Sequence, residues 1–105
     1  MMQDFEIDLP ASVDPDAVMR AVENVCAKEA LDATLKTTLK KYPGCVHWHF
    51  KRRDERGVLE VTWWARDEVA KPSRLWLSIH GNRQADWILE LMPRLGKLIE
   101  AEISA

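Results

Sequence analysis

The chain has 105 residues, 47% of them hydrophobic and 30% charged, with a net charge of −2. That is enough for one domain with a single modest core, and it gives no global electrostatic attraction to nucleic acid or a membrane. No apolar run reaches helical membrane-spanning length and the acidic start MMQDFEIDLP lacks a signal-peptide core, so a cytoplasmic, non-membrane domain over residues 1–105 is expected.

In chain order, Phe5, Ile7 and Leu9 alternate with acids and predict a short edge strand closed by Pro10. Asp14-Pro15-Asp16 carries the residues of a helix start. Val18, Ala21, Val22 and Val25 form one helical stripe, and Leu31, Leu35, Leu39 and Tyr42 a second, rotated one. A bend or break near residues 28–31 is therefore expected, with helix ending at Tyr42-Pro43-Gly44. Three segments with period-two alternation follow: GCVHWHFKR, VLEVTWWA and RLWLSIH. Arg53–Gly57 makes the first hairpin, and Asp67–Ser73, with Pro72, the second connection. Asn82 is placed as the cap of a second helix carrying Trp87, Ile88, Leu91, Leu95, Leu98 and Ile99, kinked at Pro93. The predicted fold is α+β, in the order β-α-β-β-β-α. Its sheet is mainly antiparallel, three- or four-stranded, with both helices packed on one face.

Alternation then sorts the side chains. Val46, Trp48, Phe50, Leu59, Val61, Trp63, Leu75, Leu77 and Ile79 take the face under the helices. The opposite face receives His47, His49, Lys51, Glu60, Thr62, Trp64, Arg74, Trp76, Ser78 and His80. Pairing Trp48 with Val61 and Leu77 sets His47 beside Thr62 and Trp76, and His49 beside Glu60 and Ser78. The three histidines fall in different rows.

That face supports a leading reading as a non-enzymatic interaction module. It would dimerise or dock a protein partner through His47, His49, Trp64, Arg74, Trp76 and His80, since Trp and Arg are frequent interface anchors. The alternative is nucleic-acid binding. Residues 40–66 hold seven bases against three acids, and Lys51, Arg52, Arg53, Arg56, Asn82 and Arg83 gather at one sheet edge by the start of the second helix. From residue 14 the αβββα order resembles that of double-stranded-RNA-binding domains, by element order alone; the lysine cluster that opens their second helix has no counterpart here.

His47-x-His49 with Glu60 is a conceivable metal set, but Glu60 can equally serve as the cross-strand partner of His49, and no metal or other cofactor is expected. No nucleophile motif or phosphate loop accompanies the histidines, so no catalytic residue is assigned. Cys26 and Cys45, in no metal or redox spacing, read as reduced thiols.

Overall fold

The computed structural model describes residues 2–68 and 71–105. It is α+β, with one five-stranded antiparallel sheet and two helices. The elements are β1 (Met2–Ile7), α1 (Pro15–Lys28), β2 (Asp32–Thr37), β3 (Val46–Lys51), β4 (Leu59–Glu68), β5 (Lys71–His80) and α2 (Asp86–Ser104), with a 3₁₀ turn at Gly81–Arg83 before α2. The sheet order is β1-β5-β4-β3-β2.

The expected register is present: Trp48 pairs with Val61, and Val61 with Leu77. Trp48, Phe50, Leu59, Val61, Trp63, Leu75, Leu77 and Ile79 are buried with Val18, Val22 and Val25 of α1 and Ile88, Leu91, Leu95 and Ile99 of α2. The apolar stripes of both helices therefore close one face of the sheet. Leu98, expected in that stripe, is 39% exposed, and Met92 is buried in the stripe instead. Pro93 lies within a helix assigned continuously from Asp86 to Ser104. At Gly96 the missing side chain leaves room for the Phe5 ring, which packs β1 onto α2.

The first helix starts as expected, with the Asp14 side chain accepting a hydrogen bond from the Asp16 amide. It breaks at residues 28–31, but no helix follows. Ala30 adopts φ 60°, its amide bonds the Ala27 carbonyl, and the Leu31 amide reaches back to the Cys26 carbonyl. These are the paired bonds of a Schellman stop, here without the usual glycine. Ala30→Gly should accordingly stabilise the protein by about 1 kcal/mol in a denaturant melt, because the left-handed conformation strains a residue with a Cβ.

After the stop the chain forms β2, a fifth strand that the helical reading of Leu31, Leu35 and Leu39 missed. A spacing of four residues fits one face of a strand as well as one face of a helix. Thr34, Thr37 and Thr38 add β-branched character, which favours the strand. All six residues of β2 are exposed, so there is no inside–outside alternation to reveal it. The pairing with β3 shifts between Ala33 and Leu35, so Ala33 pairs with Phe50 but Leu35 with His49. This bulge turns Leu35 toward the face away from the helices.

Glu23 ties α1 to this side of the sheet. Its Oε2 accepts hydrogen bonds from Lys36 Nζ at 2.8 Å and from Nε1 of the buried Trp48 at 3.1 Å. The Lys36 bond, aided by the Trp48 bond, holds the Glu23 carboxyl below its ordinary value despite partial burial. A depressed folded pKa gives stability that is present above the unfolded value and lost as pH falls through the folded one. Glu23→Gln should thus lower stability at neutral pH by less than about 1 kcal/mol, since the pair is exposed, and the difference from wild type should vanish in acid melts below the ordinary carboxylate range.

The second connection is shorter than expected. Asp67 pairs with Pro72 and Glu68 with Lys71, so the strands run into it, and residues 69–70 lie outside the described residues. The face opposite the helices is not open along its whole length. Residues 38–45 fold over its Trp64–Trp76 end. There the Tyr42 ring sits 4.9 Å from Trp64 and 5.1 Å from Trp76, and Trp64 Nε1 donates to the Pro43 carbonyl. Trp76 is only 5% exposed as a result.

Candidate metal centre

At the uncovered end of this face, β3, β4 and β5 bring three histidines around one carboxylate. Glu60 lies opposite His49 on β3 and Ser78 on β5. His47 and His80 are its diagonal neighbours on the two flanking strands. Diagonal positions are too far apart for short side chains but within reach of long ones. His47 Nε2 lies 3.1 Å and His49 Nε2 3.7 Å from Glu60 Oε1, while His80 Nε2 lies 3.2 Å from Oε2. Arg83 adds a guanidinium nitrogen 3.9 Å from Oε2. Different rows of the sheet therefore converge on one point, which the separation of the histidines in the sequence conceals.

Glu60 is 4% exposed and His47 is buried beside it. Burial raises the Glu60 carboxyl, but the hydrogen bond from His47 and the nearby His80 and His49 outweigh it, and the group ends below its ordinary value. Burial, helped by the nearby His47, Arg83 and His80, lowers His49 more than the Glu60 charge raises it, which favours the neutral imidazole. Two features make the cluster more than an ion pair. Among the described residues Glu60 Oε2 accepts no hydrogen bond: His80 Nε2 is close to it but not aligned. A buried carboxylate oxygen left in this state calls for a positive partner. The other feature is the 2.8 Å hydrogen bond between His47 Nδ1 and Thr62 Oγ1. It fixes the ring with Nε2 turned to Glu60, and a hydroxyl, able to donate or accept, can serve either imidazole tautomer.

The candidate ligand atoms of His47, His49 and Glu60 all lie within 4.8 Å of one another. Donors 2.0–2.2 Å from a zinc-sized ion in tetrahedral geometry are separated by roughly 3.3 Å, so small side-chain rotations would close this set. The cluster opens into a cleft of about 480 Å³. Leu35, Thr37 and Leu39 form one wall, and His80, Asn82 and Arg83 the other.

The remaining sequence-selected residues lie elsewhere. Trp64, Trp76 and Arg74 are at the covered end, where Arg74 stacks on Trp76 and pairs with Glu6. Arg52 stacks on Trp87, whose Nε1 donates to the Arg56 carbonyl. Lys51 is half-buried at the end of β3, and Arg53 stands exposed in the hairpin. Asn82 is not a helix cap: it lies in the 3₁₀ turn, and α2 begins later, with Ala85 at the cap and Asp86 in its first turn. The expected anion-binding helix start at Gly81–Gln84 is thus absent, and an acid occupies the first turn of the actual helix. Sequence reasoning placed Leu35 and Leu39 on a helix and so left them out of the site. The four-residue spacing, compatible with a strand, was the available signal.

Compared with known proteins, the chain matches no family model, and no curated protein or solved structure is significantly similar to it. No helix among the described residues is long and apolar enough to cross a membrane.

Proposed function

We propose that the protein binds one divalent transition-metal ion through His47, His49 and Glu60. The observation that carries this reading is the buried Glu60 carboxylate, faced by two imidazole Nε2 atoms and left with an unsatisfied oxygen. Two imidazoles and a carboxylate suit zinc, iron, cobalt or nickel, and they leave coordination positions toward the cleft. Thr62 supplies the outer hydrogen bond that orients His47. His80 Nε2 lies 3.2 Å from the second carboxylate oxygen without bonding it. Docking of a partner through Trp64 and Trp76 has less support, because Tyr42 and Pro43 already occupy that end of the face.

Calorimetric titration with zinc or cobalt tests the reading. The wild type should take up one ion per chain, His47 moving its ring proton to Nδ1, where the Thr62 hydroxyl can accept it, as Nε2 turns to the metal. His49→Ala should weaken uptake by about 100-fold or more. Absence of stoichiometric uptake, or uptake unchanged in His49→Ala, would refute the proposal.

A further inference from the structure

From the charge and shape of the cleft we infer that the metal-loaded protein takes a small carboxylate with a short alkyl chain as its ligand. This inference rests on the metal reading. Glu60 is the one acid among the described residues lining the cleft, and Arg83 is the one fixed cation. A divalent ion bound to Glu60 reverses the local balance, because the metal and Arg83 together outweigh a single carboxylate. Such a pocket, low in dielectric on its Glu60 side, favours an anion.

Arg83 contributes direction as well as charge. Its one close acidic partner among the described residues is Glu60, at 3.9 Å, too far for a hydrogen bond. Metal uptake by Glu60 weakens even that attraction and leaves the guanidinium fork to a ligand. A planar carboxylate fits that fork and can still offer an oxygen to the metal. The exposed Asn82 sits beside Arg83 on the same wall and can add a hydrogen bond.

The opposite wall selects against a bare inorganic anion. Leu35 is 42% exposed and faces the cleft because the β2 bulge shifts the register there and puts its side chain on the same face as His49. Leu39 continues the same apolar surface. An alkyl chain of a few carbons attached to the carboxylate would cover both leucines, whereas a phosphate would leave them in water.

Cobalt-loaded protein provides the test, because the visible bands of cobalt report both its uptake and any new ligand. Butyrate, added at millimolar concentration, should shift the bands to saturation, and butanol should not. Arg83→Gln should weaken butyrate binding by about tenfold without weakening cobalt uptake, since it removes a positive charge from beside Glu60. Leu35→Ser should weaken butyrate more than acetate. A cobalt-loaded protein whose bands ignore butyrate, or whose butyrate affinity survives Arg83→Gln, overturns the ligand inference alone, as does tighter binding of inorganic phosphate than of butyrate. A protein that never develops cobalt bands overturns the metal reading and the ligand inference together.

Discussion

Glu60→Gln should lower metal affinity by on the order of a thousand-fold, roughly 4 kcal/mol, and leave the protein folded. The substitution keeps the size of the side chain and an oxygen that can accept from His47 Nε2. It removes the negative charge and replaces one oxygen with a donor amide, which points protons at the imidazole nitrogens on one side of the site. An ion would then meet a neutral ligand and two misdirected neighbours. Thr62→Val should fall between this variant and the wild type, with about 10- to 100-fold weaker binding, since it leaves every ligand in place and removes only the hydrogen bond that orients His47. A remote change such as Glu6→Gln, which disturbs only the pair with Arg74, should bind metal as the wild type does. Calorimetry with far-ultraviolet circular dichroism separates the two effects. Equal metal affinity in Glu60→Gln and wild type would remove the carboxylate from the site.

Gly57→Ala should destabilise the protein by about 3 kcal/mol, combining backbone strain with overpacking. Gly57 holds φ 101°, where a residue with a Cβ is strained. Its added Cβ would lie 2.7 Å from Ala85 Cβ, 2.9 Å from Ile88 Cδ1 and 3.1 Å from the Arg83 carbonyl oxygen. Ile88 is fully buried and the Arg83 carbonyl already accepts a hydrogen bond from the Val58 amide, so neither can yield freely. For a domain of this size the melting temperature should drop by on the order of 10 °C. The same substitution should disturb the cleft, because the strand-to-helix turn that carries Arg83 is held against Gly57. A melt within a degree or two of wild type would show that the turn moves aside at little cost.

Most of the sheet could be read from the chain, and the reason is physical. Each of β3, β4 and the inner part of β5 buries one set of alternating side chains under the helices, so a slip of one residue would expose Trp48, Val61 and Leu77 at once. That constraint fixes the register and with it the neighbours of His49 and Glu60. β2 has no such constraint, since both of its faces meet solvent, and its leucines recur at a spacing shared by helix and strand. The site was only half legible for a related reason. Row-by-row pairing finds the contact between His49 and Glu60, but the approach of His47 and His80 is diagonal and depends on side-chain length. Arg83 arrives through a turn whose path alternation does not describe. The cover over Trp64 and Trp76 was hidden too, because it comes from an irregular segment whose anchor is a single tyrosine between two tryptophans.

The position of β1 has a consequence for how the protein is made. Met2 pairs with His80 and Ile7 with Leu75, and Phe5 settles against Gly96 in the last helix. Closing a loop of that length is entropically costly and must await both partners, whereas β3, β4 and β5 join through short connections. During synthesis β1 therefore has no place to bind until the chain through β5 and Gly96 has emerged. The β3–β5 meander, which already contains every proposed metal ligand, can assemble earlier. β1, which precedes the other strands in sequence, should then be the last of them to join the sheet.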